Sequence, residues 1–313
     1  MKMYFAPLEG LTDSVYRRLH NKYFPGVDRY YTPFFSPTVH RALTPKEARE
    51  LPIATSVPVT VIPQILTKNA EDFLWFAGEA AALGYKEVNL NLGCPSGTVF
   101  SKGKGSGMLR DLEALDKFLE AVFAASPLPI SVKTRLGVDN PVEFPKLLEI
   151  FNRYPLCELI LHSRVRTQFY KGEPDLASFR YCYENSLSPV CYNGNLFTKA
   201  DLDNISAKFP NCSALMLGRG LIADPGMVSG GTNRETLAAF SEELLETYID
   251  VFGSERNAMF RMKENWNMLL WKFENTEKLG KRLRKATDVS EFRAITREIL
   301  ETLPMRENII YNP

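Results

Sequence analysis

A single cysteine, Cys94, stands where an apolar strand pattern gives way to a segment rich in glycine, serine and lysine. Residues 87–109 read EVNLNLGCPSGTVFSKGKGSGML, so Asn91 precedes the cysteine and Lys102 follows it. A cysteine inside an apolar run is most often a small buried hydrophobe. Polar and cationic neighbours instead favour a thiol that reacts or donates a proton. We therefore expect Cys94 to be the catalytic residue, followed by a mobile basic loop.

Two turns that contain glycine follow the last two predicted strands, with the sequences YNGN at 192–195 and LGRG at 217–220. In barrels the loops at these places often bind phosphate through backbone N–H groups and an adjoining helix. Glycine lets the backbone approach closely. Tight turns that merely contain glycine are the alternative. We expect one phosphate site, formed by Asn193, Gly194, Gly218 and Arg219.

Lys133 and His162 lie at the ends of two other predicted apolar strands. A lysine there could be a structural cation in a salt bridge, but beside a phosphate site it would face the electron-rich edge of a flavin ring. A fixed cation at that edge stabilises the reduced, anionic flavin. A lone histidine is more often structural. Here His162 opens the segment HSRVRTQFYKG, whose arginines, Arg164 and Arg166, could bind phosphates.

Alternating strand and helix patterns position these residues. Eight strands are predicted, at 3–6, 30–34, 60–66, 87–92, 130–134, 158–161, 189–192 and 214–217. Strands and helices alternate over roughly 230 residues, the size of a TIM (β/α)8 barrel. Polar residues gather at or just beyond the C-terminal strand ends: Glu9, Gln64, Cys94, Lys133, His162, Asn193 and Arg219. A doubly wound sheet is disfavoured because no glycine fingerprint follows the first strand.

Beyond the predicted barrel the apolar periodicity is helical to the end of the chain. The sequence therefore predicts an α/β barrel domain over 1–233, followed by a small helical bundle within 236–313. Residues 255–285 carry nine Lys or Arg and four Asp or Glu, a local net charge of +5. This excess is either a solvated helix face or a surface that binds nucleic acid.

Composition narrows the class of protein. The chain has 313 residues, 45% of them hydrophobic, and a formal net charge of +1, which neither indicates nor excludes a nucleic-acid partner. Five scattered cysteines without a CxxC spacing argue against disulfides and a structural zinc site. No signal peptide or apolar run of membrane-spanning length is evident. We expect a cytoplasmic monomer without metal or membrane contact.

The chain resembles the tRNA-dihydrouridine synthases along nearly its whole length. Their strand ending in N-x-G-C-P and the following glycine- and lysine-containing loop match 91–109, with Asn91 and Cys94 in place. Further matches are APLEG at 6–10, Gln64, SVKTRLG at 131–137, HSRVRTQFY at 162–170, YNGN, LGRG and RMKENWNMLLWKF at 261–273. The departures are Asn89 for Asp, Ser163 for Gly, Val165 for Thr and Asn195 for an acidic residue.

The resemblance implies an enzyme that reduces the C5–C6 double bond of a tRNA uridine, with FMN as cofactor and NADPH as reductant. Hydride would reach C6 and Cys94 would protonate C5, after the base is extruded from the tRNA. It implies flavin contacts from Pro7, Leu8, Glu9, Gln64, Lys133, His162, Asn193, Gly194, Asn195, Gly218 and Arg219. It implies substrate contacts from Asn91, Lys102, Arg135, Arg164, Arg166, Arg261 and Lys263.

Two other functions stay open. One is a flavin-dependent barrel that acts on a free pyrimidine, in the manner of dihydroorotate dehydrogenases. The arginines after His162 and the C-terminal bundle argue against it, because a free pyrimidine needs neither. The other is an RNA-binding barrel that has lost its chemistry, which the retention of Cys94, Lys133 and His162 disfavours. A flavin spectrum and an assay on tRNA would separate the three.

Overall fold

Nine parallel strands form a barrel in the computed structural model, which describes residues 1–311. The strands are β1 Lys2–Phe5, β2 Arg29–Tyr31, β3 Val61–Ile62, β4 Gln64–Ile65, β5 Val88–Leu92, β6 Ile130–Arg135, β7 Glu158–His162, β8 Val190–Asn193 and β9 Ala214–Leu217. Their order around the sheet is β3-β2-β1-β9-β8-β7-β6-β5-β4. The first strand thus pairs with the last, as a TIM-type barrel requires.

β3 and β4 lie on one extended stretch that the sequence predicted as a single strand. The structure interrupts it at Pro63, because proline has no N–H to donate to a neighbouring strand. The stretch still bonds on both sides: the Thr32 amide donates to the Ile62 carbonyl at 3.0 Å, and the Asn89 amide donates to the Pro63 carbonyl at 2.9 Å. The two short strands act as one, and the predicted α/β barrel is confirmed.

Helices surround the barrel and continue beyond it. Those that accompany the strands are α1 Ser14–Tyr23, α2 Pro45–Glu50, α3 Ala70–Ala82, α4 Gly97–Ser101, α5 Leu112–Ala125, α6 Phe144–Phe151, α7 Leu176–Asn185, α8 Lys199–Lys208 and α9 Arg219–Ala223. Further along the chain lie α10 Arg234–Phe252, α11 Glu255–Leu269, α12 Glu277–Lys285 and α13 Val289–Thr302. The helical stretch that contains α6 begins with a 3-10 turn over Pro141–Glu143, and the α-helix starts only at Phe144. Pro145 explains the break, because it cannot donate to the carbonyl of residue 141.

The segment after Cys94, predicted as a loop, contains α4 and a 3-10 turn over Gly105–Arg110. The turn folds back onto the cysteine. A β-carbon on Gly105 would lie 3.0 Å from that of Cys94, and the φ of Gly105 is +56°. Glycine meets both conditions at little cost. Residues 105–109 are buried, so this sequence packs against the cysteine instead of extending into solvent.

Alternation along the strands brings polar side chains together inside the barrel. Successive side chains on a strand point to opposite faces. Asn89 and Asn91 therefore share the inner face of β5, and Lys133 and Arg135 share that of β6. The strand register places Asn91 beside Lys133, and Arg135 beside His162. Polar residues spaced two apart on neighbouring strands thus form a polar layer at the carboxyl end of the barrel.

The interior below this layer is filled. Its largely apolar core consists of Tyr4, Ala6, Tyr31, Ile62, Ile160, Cys191, Ala214 and Met216. Each of these residues is at most 5% exposed. The barrel therefore has a packed floor, on which the polar layer rests.

The C-terminal helices pack against the first helix of the barrel and against one another. The Tyr248 hydroxyl of α10 donates to Asp13 Oδ1, at the start of α1, at 3.0 Å. The buried Trp266 of α11 donates from its indole nitrogen to the Ser241 hydroxyl of α10 at 3.1 Å. Within residues 1–311, no helix combines the length and apolar character needed to cross a bilayer.

A buried ion pair joins the end of α9 to the C-terminal helices. Lys272 Nζ lies 2.7 Å from Asp224 Oδ2, and the two side chains are 5% and 8% exposed. Removing one partner of such a pair leaves an unpaired buried charge, which costs about 3–5 kcal/mol. We expect Asp224→Ala to lower the free energy of unfolding by about that much, measured by urea titration.

Glu113→Ala is the control for this substitution. It breaks the pair between Glu113 and Lys117, whose side chains are 79% and 70% exposed. An exposed pair contributes little, so the urea midpoint should hardly move. Similar losses in the two variants would mean that the buried pair does not stabilise the junction.

Candidate active site

A cavity of about 380 Å³ opens at the carboxyl ends of the strands. Most of the residues that the sequence predicted for chemistry line it: Pro7, Leu8, Glu9, Gln64, Asn91, Cys94, Lys133, Arg135, His162, Asn193, Gly194, Gly218 and Arg219. Small-molecule sites have volumes of roughly 300–1,000 Å³. Residues from all parts of the barrel sequence therefore converge on one site of suitable size.

Side chains from two strands and the following turn hold the backbone at Cys94. Asn91 Oδ1 accepts hydrogen bonds from the amides of Gly93 and Cys94, at 3.0 and 2.9 Å. Arg135 Nε donates to the Gly93 carbonyl at 2.9 Å, and the Ser106 hydroxyl donates to the Cys94 carbonyl at 2.7 Å. The peptide groups on both sides of the cysteine are thus fixed, which limits where its thiol can point.

A chain of side-chain hydrogen bonds supports Asn91 from below. Its amide nitrogen donates to Gln64 Oε1 at 2.7 Å, and Gln64 Nε2 donates to Asn89 Oδ1 at 2.8 Å. Asn89 Nδ2 in turn donates to the Ser131 hydroxyl at 2.8 Å. An amide at position 89 can accept from Gln64 and donate to Ser131 at the same time. The departure from aspartate therefore leaves a continuous chain beneath Cys94.

The thiol of Cys94 stays protonated at neutral pH. Burial raises its pKa above the ordinary value, although a hydrogen bond from the Ser96 backbone and the positive charge of Arg135 act in the opposite direction. A thiol in this state is a poor nucleophile, because the thiolate is the reactive form. It can, however, donate a proton. The geometry thus favours an acid at this position over a covalent catalyst.

The Lys133 side chain extends into the cavity, where its ammonium is hydrogen-bonded to a neutral amide. Its ammonium donates to Asn193 Oδ1 at 2.9 Å, and Asn193 Nδ2 donates to the carbonyl of Met216 at 2.8 Å. Burial and the nearby charge of Arg135 lower the pKa of Lys133 to about 7. Asn193 was predicted to bind phosphate, whereas here its amide orients the lysine. An anion bound in the cavity would restore the protonated form of Lys133.

His162 is a neutral hydrogen-bond donor. Burial, then the charges of Arg135, Lys133 and Arg164, lower its pKa well below the ordinary value. Its Nε2 lies 3.2 Å from Arg164 Nη1. A guanidinium can only donate, so Nε2 accepts and the ring proton is on Nδ1. His162 lines the cavity and can offer that N–H to a ligand.

Two residues that were expected to bind ligands instead hold the loop after β7. Arg164 is fully buried, and it donates to the Lys171 carbonyl at 3.2 Å and to Asn195 Oδ1 at 3.1 Å. The amide nitrogen of Asn195 donates to Glu173 at 3.3 Å. Neither side chain lines the cavity. These contacts give both residues a positioning role, and phosphate binding by Arg164 and flavin binding by Asn195 stay predictions.

Arg166 and Lys102 also lie outside the cavity lining. The guanidinium carbon of Arg166 lies 3.8 Å from the centroid of the Phe100 ring, in α4. Lys102 is exposed at the end of α4. Arg166 therefore ties the loop after β7 to the helix after Cys94. Lys102 remains available to a large ligand that covers the mouth.

The two predicted tRNA contacts on α11 point in different directions. Arg261 lies next to the first barrel loop. Its Nη1 would be 3.0 Å from a β-carbon built on Gly10, and its Nε lies 3.9 Å from Asp13 Oδ2. The Lys263 ammonium instead donates to the carbonyls of Arg284 and Ala286, at the end of α12. Lys263 thus caps a helix, and the contact of both residues with tRNA stays a prediction.

Several residues that line the cavity were not among the predicted site residues. Phe197 lies in the loop after β8, and Met268 comes from α11, so the C-terminal helices contribute to the wall. Tyr170, from the loop after β7, also lines the cavity and is 41% exposed. A search of strand ends cannot find Met268, because only tertiary packing brings α11 to the mouth. Within the described part of the chain, no His, Cys, Asp and Glu cluster suits a metal ion.

Comparison with protein families identifies one match along the chain. The profile of the family described as "Dihydrouridine synthase (Dus)" matches residues 4–302. A probable tRNA-dihydrouridine synthase 1 from Synechocystis is 31% identical over 221 residues, which are 68% of this chain and 61% of that protein. A tRNA-dihydrouridine(16) synthase from Neisseria meningitidis serogroup B is 25% identical over 317 residues, which are 95% of this chain and 94% of that protein.

Solved structures show the same fold at low sequence identity. A 2-naphthoyl-CoA reductase complex superposes with a TM-score of 0.57 at 9% identity, over 73% of this chain and 49% of that one. A histamine dehydrogenase from Rhizobium sp. gives a TM-score of 0.54 at 11% identity, over 73% of this chain and 45% of that one. These likenesses support the barrel fold alone.

The raised pKa of Cys94 predicts how the thiol reacts with iodoacetamide. Because alkylation needs the thiolate, labelling of ligand-free protein should be slow at pH 7 and should accelerate only at a higher pH than in the unfolded protein. Mass spectrometry of the peptide that contains residue 94 follows the rate, and urea-unfolded protein provides the reference. Faster labelling of folded than of unfolded protein at pH 7 would show a lowered pKa and contradict the assignment.

Proposed function

The chain belongs to the dihydrouridine synthase family, and on that premise we propose that it reduces the C5–C6 bond of a tRNA uridine with FMN and NADPH. The observation that carries the proposal is Cys94, held by hydrogen bonds at its backbone, in a cavity lined by cations. Relatives named for this activity on tRNA, in Synechocystis and in Neisseria, support it.

The donor set of the cavity suits an anionic flavin. Lys133, Arg135 and Arg219 bring positive charge to the lining, His162 offers an N–H, and Glu9 is the only carboxylate there among the described residues. Burial, and after it this surplus of positive charge, lowers the pKa of both Lys133 and His162. The negative charge of a flavin phosphate and of an electron-rich ring edge would offset this surplus of positive charge. A single phosphate site without a dinucleotide fingerprint favours FMN over FAD.

A bound flavin supplies hydride transfer. The chain supplies the proton: the Cys94 thiol donates to C5 of the uracil as negative charge develops there. Arg135 and Lys133 both favour the thiolate that remains, since their charges lower the pKa of Cys94. Asn91 holds the amide of Cys94, so its part is to aim the acid. A uracil reaches this depth only if it is extruded from its stack.

The outer surface offers contacts for a tRNA backbone. α12 exposes a row of basic residues: Lys278, Lys281, Arg282, Arg284 and Lys285. Arg261 adds a cation beside the first barrel loop, close to the mouth. Phosphate contacts of this kind position a nucleic acid without reading its sequence. Because the Neisseria relative is named for uridine 16, position 16 is the first to examine.

The activity and the role of Cys94 can be tested together. Protein loaded with FMN is supplied with NADPH and unmodified tRNA transcripts, and dihydrouridine is measured by mass spectrometry and mapped by position. The parent should form dihydrouridine. Cys94→Ala should oxidise NADPH at the parental rate, but tRNA reduction should fall by on the order of 10²- to 10⁴-fold, the contribution of a general acid.

Cys94→Ser is the matched variant, because it keeps size and a transferable proton but is a much weaker acid, so it should also be slow. Parental tRNA reduction in both variants would remove Cys94 from the mechanism. A parent that holds flavin but acts only on free pyrimidines would favour the dihydroorotate-dehydrogenase-like alternative. A parent that binds tRNA without flavin would favour an inactive RNA-binding barrel.

Substitutions of the two basic residues of α11, Arg261 and Lys263, should have different effects on tRNA binding. Arg261→Glu should weaken tRNA binding and reduce the magnitude of the log K against log salt slope by about one, because one phosphate contact is lost. Lys263→Met should bind tRNA like the parent but unfold at lower temperature, since its ammonium caps α12. Filter binding over a salt series measures the first effect. Parental binding by Arg261→Glu would exclude this contact.

A further inference from the structure

Residues 304–311 form a strap that returns from α13 to the barrel mouth. The Arg306 amide donates to the Lys272 carbonyl at 2.7 Å. The Lys272 ammonium, already paired with Asp224, donates to the Glu307 carbonyl at 2.9 Å. The strap is therefore anchored to the buried ion pair before it reaches the mouth.

The far end of the strap packs behind the cavity wall. Ile309 is 5% exposed and packs with Phe197 and Ala223. The Tyr311 ring stacks on that of Phe197, with centroids 4.4 Å apart and planes 12° from parallel. Phe197 itself lines the cavity. The strap thus brings Tyr311 to the outer side of the cavity wall, next to the proposed phosphate site.

Tyr311 is one of two tyrosines that enclose Arg219. The guanidinium carbon of Arg219 lies 4.2 Å from the Tyr170 ring centroid and 4.6 Å from that of Tyr311. Arg219 Nη1 also donates to the Tyr311 hydroxyl. Aromatic faces attract cations without neutralising them. Within residues 1–311 no carboxylate forms an ion pair with Arg219, so its charge remains available.

Arg219 needs such support because another cation is close. Burial and the charge of Arg219 lower the pKa of Arg164, which shows that the two guanidinium groups repel one another. Repulsion would favour rotamers in which Arg219 leaves the cavity for solvent. The two rings and the tyrosine hydroxyl oppose that movement. A carboxylate could also hold the arginine, but it would repel an incoming phosphate.

We propose that Tyr311 is a positioning residue that holds Arg219 in place to bind the phosphate of FMN. The inference rests on the proposed function, because it takes the ligand at Arg219 to be the flavin phosphate. Tyr311 would then contribute to cofactor affinity without touching the isoalloxazine ring. Its effect should depend entirely on the presence of the phosphate.

FMN and riboflavin, which differ by that phosphate, provide the test. Apoprotein is titrated into each flavin, and quenching of flavin fluorescence gives the Kd. Tyr311→Ala should weaken FMN binding on the order of 10-fold and leave riboflavin binding unchanged, because a cation–π contact and a hydrogen bond to Arg219 are lost. Tyr311→Phe keeps the ring and should weaken FMN binding by only roughly 2- to 5-fold.

Ile310→Ala is the matched control, since this neighbour in the strap is 62% exposed. It should bind both flavins like the parent. Equal losses of FMN and riboflavin affinity in Tyr311→Ala would indicate a general structural role and overturn the inference, as would no loss of FMN affinity in either Tyr311 variant. A parent apoprotein that binds neither flavin would instead overturn the proposed function.

Discussion

Buried positive charge at the barrel mouth is the constraint on which the site depends. Arg135 lies beside His162 in the strand register, Arg164 Nη1 lies 3.2 Å from His162 Nε2, and Lys133 and Arg219 line the same cavity. The chain holds these groups largely with neutral partners: carbonyl oxygens for Arg135 and Arg164, an amide for Lys133, and tyrosines for Arg219. Neutral acceptors fix the position of a cation and leave its charge for a ligand. Burial, together with these charges, keeps His162 neutral, and therefore a donor.

The sequence predicts the barrel and most of the cavity because both follow from local periodicity. Lys133 and Arg135 are two residues apart on one strand, so they share the inner face, and parallel strands bring their ends to one rim. Met268 and Tyr311 lie far from any strand end. They reach the mouth through packing of the C-terminal helices and the strap, which no spacing along the chain reports.

Side-chain direction and partner choice explain why some predicted site residues lie outside the cavity. Two residues apart on a helix means a rotation of roughly 200°, so Arg261 and Lys263 lie on nearly opposite faces of α11. A family motif preserves residue types without stating their bonds. Asn195 and Arg164 illustrate this, since each matches or replaces a motif position yet bonds to the other. Residue type alone therefore does not separate a side chain that lines the cavity from one that supports it from behind.

The hydrogen-bonded chain beneath Cys94 contains only a hydroxyl and three amides, from Ser131, Asn89, Gln64 and Asn91. None of these groups ionises in the physiological range. An aspartate at position 89 would place a titrating group within that support. With asparagine there, a change of proton concentration acts on the reactive groups and leaves their local support unaltered. A pH–rate profile would then report the titration of the reacting groups alone, without a contribution from these four hydrogen-bonded side chains.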